Sequence, residues 1–163
     1  MTYILSAELD ADAVDALDRY REYLTENADR FPAGAYALAT SPWYFNSSDH
    51  RAPHDARLEE LSISETGTGA RAGRRSLEIR IRLLGAYDDG HIEFRYRDVA
   101  RYRCELNPGR LNEGRGHRDW RYDEFRLSED GRLVHEIEWW GRGPTGSWLI
   151  EAADVEFTWI PKP

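Results

Sequence analysis

Leu77-Glu78-Ile79-Arg80-Ile81-Arg82-Leu83 alternates apolar and charged side chains without a break. Successive side chains of an extended chain point to opposite faces. The run therefore predicts a strand with Leu77, Ile79, Ile81 and Leu83 on one face and Glu78, Arg80 and Arg82 on the other. The same period of two extends outward in both directions. Before it, Leu61 and Ile63 alternate with Ser62 and Ser64. After it, Ile92, Phe94 and Tyr96 alternate with Glu93, Arg95 and Arg97, and Tyr102, Cys104 and Leu106 with Arg101, Arg103 and Glu105. Such runs are half-buried antiparallel strands, apolar inside and charged outside. Further strands are expected from Trp120 to Leu127, from Leu133 to Trp140, from Trp148 to Ala152 and from Val155 to Ile160. About eight strands in consecutive hairpins over residues 58–160 must curl or close. The expected class is α+β, mainly β: a curled antiparallel β meander or barrel of about eight strands with one N-terminal helix.

Turn chemistry sets the expected registers. Asp89-Gly90 as a two-residue loop places Leu83 opposite Tyr96, Gly85 opposite Phe94 and Tyr87 opposite Ile92, all on the apolar parity. Asp130-Gly131 fits better inside a three-residue loop, Glu129-Asp130-Gly131, with Gly131 left-handed. Leu127 then faces Leu133, and Phe125 faces His135. Trp120 and Tyr122 lie on the other parity from Phe125 and Leu127. A bulge near Asp123-Glu124 would bring all four to one face.

The first third of the chain has a different period. Ala13, Val14, Leu17, Tyr20 and Leu24 recur three or four apart, which predicts a helix over about residues 11–27. Asp10 or Asp12 is placed to cap it. Tyr36 to Leu38 reads as a short strand. Residues 39–57, with Pro42, Pro53 and no period, read as a long loop; Trp43, Tyr44 and Phe45 argue that it is packed.

Composition bounds the rest. The chain of 163 residues is read as a single domain, 1–163. It carries 22 Lys and Arg against 30 Asp and Glu, a formal charge of −8 that disfavours binding to nucleic-acid phosphates. Of its basic residues only Lys162 is lysine, which fits codon bias in a GC-rich genome. No run approaches the apolar length of a membrane helix, and no secretory leader is evident, so a cytoplasmic protein without membrane association is expected. A lone cysteine, Cys104, makes no internal disulfide and reads as a small hydrophobe. No cofactor or metal is expected: His50 and His54 stand four apart, but Pro53 between them argues against a helical ligand pair.

Several residues are candidates for a binding site. His54 lies in the long loop. His117 and Asp119, two apart at a strand entrance, could act as an acid–base pair. His135 falls on the apolar parity, as a satisfied core histidine or a polar group lining a cavity. Glu136, Glu138 and Glu151 read as outward charges rather than a glycosidic carboxylate pair. The glycine-rich run from Gly141 to Gly146 joins two strands, so it lacks the helix N-terminus that a phosphate cradle needs. Trp139 and Trp140 are adjacent on one strand, which sends Trp139 in and Trp140 out. With Trp43, Tyr44 and Trp148, Trp140 could anchor a partner. No catalytic residue is assigned, and a binding protein is expected rather than an enzyme.

Three stretches, Pro53-His54-Asp55-Ala56, Leu83 to His91 and Asp119 to Trp139, together resemble a group of small, uncharacterised bacterial proteins with one helix and a β meander, some similar to immunity proteins of toxin systems. The resemblance implies a binding role and transfers no site residue. The first expectation is a protein-binding module, an immunity-type inhibitor docking a basic protein. The alternative is a small-ligand-binding β cup, or an enzyme, with a cavity lined by His135 and aromatic rings. A homodimer with Trp140 and Trp148 in its seam is a third.

Overall fold

The computed structural model describes residues 1–5, 13–107 and 116–163. Helix α1 (Ala13–Glu26) buries Ala16, Tyr20 and Leu24, one residue from each successive turn. Val14, expected on that stripe, is 70% exposed. The helix is rotated so that the small side chain of Ala16, not Val14, meets the sheet. Its expected caps, Asp10 and Asp12, lie outside the described residues. Residues 36–38 are not a strand but part of a second helix, α2 (Ala33–Ala39). Its alanines and Leu38 are strong helix formers. Its first turn is held by a distant group: the Asp154 carboxylate accepts the backbone N–H of Gly34 and of Ala35, both at 2.9 Å. Gly34 sits so close to the Val155 carbonyl that a Cβ could not be accommodated.

Eight strands follow: β1 (Arg57–Thr68), β2 (Arg74–Leu84), β3 (Gly90–Arg97), β4 (Arg101–Cys104), β5 (Asp119–Leu127), β6 (Leu133–Trp140), β7 (Pro144–Ala152) and β8 (Asp154–Pro161). They form one antiparallel sheet in the order β4-β7-β6-β5-β1-β2-β3-β8. The sheet is curled but not closed. Chain bends tie its two ends together: the Ala100 N–H donates to the Glu151 carbonyl at 2.8 Å, and the Ala153 N–H to the Arg97 carbonyl at 2.9 Å. Ile79, Ile81, Ile92, Phe94, Trp120, Phe125, Ile137, Trp139 and Ile150 fill the concave side. Among the described residues no helix is long and apolar enough to cross a membrane.

The seam between β1 and β5 is where the sheet parts. Their ladder contains one pair, Arg57 with Asp119. It is extended only by Asp55 N–H to Trp120 carbonyl at 2.8 Å and Trp120 N–H to Ala56 carbonyl at 2.9 Å. Beyond that point β1 runs outward with β2 as a largely exposed hairpin, and helix α1 takes its place beside β5.

Registers match the sequence reading where a glycine turn dictates them and depart where tertiary packing does. Gly131 has φ 75°, Leu127 pairs with Leu133, and Phe125 with His135, as the three-residue loop requires. The β2–β3 hairpin differs: Leu83 pairs with Ile92, Ile81 with Phe94 and Ile79 with Tyr96. The turn is four residues, 86–89, bracketed by a Gly85 N–H to Gly90 carbonyl bond of 2.9 Å. The shift of four residues preserves the apolar parity, so alternation alone could not detect it. What selects this register is Trp159, whose ring lies against both Gly85 and Gly90. The bulge in β5 also lies elsewhere, between Trp120 and Tyr122. At the sheet's edge β4 ends at Cys104, leaving Tyr102 and Leu106 exposed rather than inward.

A Cβ on Gly90 would collide with the Trp159 ring. Gly90→Ala should therefore lower unfolding free energy in urea by about 1–3 kcal/mol, the range for overpacked cores. An unchanged midpoint would mean that Trp159 does not set this turn.

Candidate functional site

The position of the β5 bulge decides which side chain enters the core. With the extra residue at Arg121, Trp120, Asp123, Phe125 and Leu127 face inward and Tyr122 faces away. A carboxylate thus stands in the core, only 4% exposed. Asp123 Oδ1 accepts the Trp120 indole N–H at 2.9 Å. Its Oδ2 accepts the Tyr44 hydroxyl at 2.7 Å and is bonded to His135 Nε2 at 2.8 Å. The other ring nitrogen of His135, Nδ1, meets the Tyr96 hydroxyl at 2.7 Å. The arrangement is satisfied when Nε2 carries a proton toward Asp123 and Nδ1 accepts from Tyr96. Burial, then the Asp123 charge, pushes the Tyr44 and Tyr96 hydroxyls well above their ordinary range, so both stay protonated donors.

His135 is fully buried, stacked on Phe125 with centroids 4.1 Å apart and flanked by Phe94 and Trp120. Both ring nitrogens are occupied, so it does not line a cavity. It is the satisfied core histidine, linking Tyr96 to Asp123.

The open space lies on the other side of Asp123, where β1 has left β5. A pocket of about 170 Å³ is lined there by Ile4, Ala13, Ala16, Leu17, Phe45 and Pro53 as apolar walls, with the buried Tyr44 and Asp123 at its base. His54, Arg121 and Tyr122 also border it. The seam itself is sealed by side chains. The Tyr20 hydroxyl donates to the Phe125 carbonyl at 2.9 Å and accepts the Phe125 N–H at 2.8 Å. The Tyr23 hydroxyl accepts the Leu127 N–H at 2.9 Å. These two tyrosines of α1 supply β5 with bonds that a neighbouring strand would otherwise make.

One outward residue of β5 is buried as well. Glu124 Oε2 accepts the N–H groups of Tyr3, Ile4 and Leu5 at 2.9, 2.8 and 3.3 Å, strapping the N-terminal segment beside the pocket. Its Oε1 lies 2.9 Å from Arg126 Nε but outside hydrogen-bond geometry. Arg126 also pairs with Glu136. Burial raises the Glu124 carboxyl above its ordinary value of 4.5, and the N–H donors and Arg126 offset part of that rise.

The residues singled out in the sequence scatter. Tyr44 and Trp148 are buried and present no ring to a partner or a dimer seam. Trp43 is half-buried, against Phe157 at 5.0 Å with the Arg51 guanidinium 4.7 Å above it. Trp140 is half-buried, with the Arg121 guanidinium 5.7 Å from its ring. His54 lies near Tyr122 at the pocket, whereas His50 stacks on Tyr87 at 4.1 Å and pairs with Asp89. No group of three or more metal-ligating side chains occurs among the described residues. His117 packs between Trp139 and Trp148, with its Nδ1 bonded to no group among the described residues, while Asp119 stands opposite Trp140 in the ladder. Glu151 is buried against Arg101 at 3.1 Å. Burial pushes the Cys104 thiol up to about 11, which keeps it unreactive at neutral pH. Asp123, Tyr96 and Glu124 escaped the sequence reading. With the bulge expected at Asp123-Glu124 itself, the inward set is Trp120, Tyr122, Phe125 and Leu127, which leaves Asp123 out of the core.

Comparison with protein-family profiles, curated proteins and solved structures finds no match. The functional reading therefore rests on geometry.

Removing the carboxylate leaves the Trp120, Tyr44 and His135 donors unpaired in the core. Asp123→Ala should cost about 3–5 kcal/mol of stability, the range for orphaning buried charged pairs, measured by urea unfolding. A loss below about 1 kcal/mol would show that the core relaxes around them. Glu124 yields a pH prediction with a definite sign. Its folded pKa is raised, so its contribution to stability is fully present below the unfolded value and lost as pH rises through the folded one. Glu124→Gln should therefore flatten the decline of stability with rising pH just above the ordinary carboxyl range. An unaltered slope would remove Glu124 as its source.

Proposed function

We propose that the chain is a small-ligand-binding β cup whose site is the pocket between helix α1 and the parted seam. The observation that carries this reading is an apolar pocket of about 170 Å³ with a pre-organised carboxylate at its base. Its size suits a single ring: a dry cavity of about 150 Å³ accepts benzene in an engineered protein. Apolar walls with a few placed polar groups are the general pattern of small-molecule sites. Three donors hold Asp123, and its Oδ1 accepts only the Trp120 indole, which leaves it acceptor capacity for a further donor. A ring-sized molecule with one hydrogen-bond donor is the fitting ligand class.

The other reading, a module that docks a basic protein as an immunity protein does, has the net charge of −8 in its favour. Its aromatic anchors reduce to Trp43 and Trp140, each half-buried beside an arginine. The pocket is the stronger basis.

Calorimetric titration with p-cresol tests the reading, since that molecule carries one ring and one hydroxyl donor. Saturable one-to-one binding is expected, weakened at least about tenfold by Ala13→Phe, which fills the pocket from the helix. Absence of saturable heat, or equal affinity in the filled variant, would overturn it.

A further inference from the structure

The sheet ends at β4 and at β8, and it is open a third time along β1. Strand β4 is only 4 residues long. Helix α2 closes over the start of β8, where Gly34 lies against the Val155 carbonyl and Asp154 holds the first turn of the helix. Strand β1 has neither protection. It is 12 residues long and pairs with β2 along its length, and among the described residues its other side meets a strand only at Arg57. A long bare edge is a template for another strand, and proteins ordinarily blunt it with a bulge, a proline or a lysine. The bulge of β1 lies at its root, between Leu58 and Glu60, and from Glu60 to Thr68 the ladder with β2 is unbroken. That stretch, Glu60-Leu61-Ser62-Ile63-Ser64-Glu65-Thr66-Gly67-Thr68, holds no proline and no lysine. Its Ile63 is 41% exposed.

We infer that the bare edge of β1 is a dimer interface, occupied by the same edge of a second copy of this chain running antiparallel. The stretch is complementary to itself. A two-fold axis normal to the sheet sets each residue opposite one that belongs to the same face. Centred on Ser64, the axis aligns residues 60–68 with their counterparts over the whole unbulged span. Ser64 then meets its own counterpart, Ser62 meets Thr66 and Glu60 meets Thr68 on the outer face, where hydroxyl pairs stabilise a ladder. On the inner face Leu61 meets Gly67 and Ile63 meets Glu65. No carboxylate stands opposite a carboxylate. Centring nearer the root brings the bulge of each copy into the pairing. The charge of the edge also favours a like strand over a basic one. Its carboxylates are Glu60 and Glu65, and Glu65 is already paired with Arg75 at 3.2 Å. Most of the net charge of −8 therefore lies elsewhere, and two copies meet here without strong repulsion. None of residues 60–68 lines the Asp123 pocket, so the interface is independent of a ligand there.

Sedimentation velocity of the full chain from about 1 μM to about 1 mM tests the inference, a range that covers weak and moderate association. A monomer–dimer equilibrium is expected, with amide exchange over residues 60–68 slowing as the dimer forms. Ser64→Lys sets two cations face to face at the axis and should weaken the dimer at least about tenfold. A second measurement serves if that variant fails to fold. In a Cys104→Ser background, Ser64→Cys should form an intermolecular disulfide under oxidised glutathione, because counterparts at the axis stand within the span a disulfide bridges. Ser62→Cys should not, since its counterparts lie roughly 13 Å apart along the ladder. A chain that stays monomeric at every concentration would overturn the inference and leave the edge to a strand of another protein. So would a Ser64→Lys variant that dimerises as well as the wild type, or equal cross-linking of the two cysteine variants. Because p-cresol binding is read at a separate site, either proposal can fail without the other.

Discussion

The rest of the molecule follows from one constraint: β5 must pair its backbone although β1 leaves it after a single ladder pair. An unpaired edge in the interior is costly because every buried N–H and C=O forfeits its bond to water. Here the substitutes are side chains. Tyr20 serves both backbone groups of Phe125, and Tyr23 serves Leu127. Helix α1 is thus held by hydrogen bonds as well as by the apolar contacts of Ala16 and Leu24. The helix therefore stands in the wall of the sheet, in the place β1 leaves beside β5. A helix is wider than a strand, and the space it fails to fill is the pocket.

The bulge at the start of β5 belongs to the same solution. It turns Asp123 into the core just where Tyr44, Trp120 and His135 converge. A buried carboxylate is tolerable only with its lone pairs engaged. The network ties the loop after α2 to β5, and β5 to β6 and β3, so parts distant in sequence share one charged centre. On the opposite face of β5, Glu124 does the same for residues 3–5. Two adjacent acidic residues, Asp123 and Glu124, therefore organise the two sides of a single strand.

Against this saturated centre the rings around His117 stand out. The Asp123 network uses each of its donors, whereas the two indoles beside His117 have no hydrogen-bond partner among the described residues. Both lie within one curled sheet built by the same alternation.

By itself the sequence determined the strands, which face of each is apolar, the existence of the N-terminal helix and the Gly131 turn. These are local properties: alternation, helical spacing and a residue that tolerates positive φ. It also singled out His135, because a histidine on an apolar parity is conspicuous, and His117, because it stands two residues before Asp119 at a strand entrance. Tertiary structure alone decided what depends on distant partners. Residues 33–39 became a helix in contact with Asp154, and the β2–β3 register slid four residues to seat Trp159 on two glycines. The bulge moved to Arg121 and exchanged Tyr122 for Asp123 in the core. A shift by an even number leaves the pattern of apolar positions unchanged, and a bulge leaves no mark in composition. The pocket, the carboxylate beneath it and the pairing of Tyr20 with β5 therefore exist only once the sheet has curled.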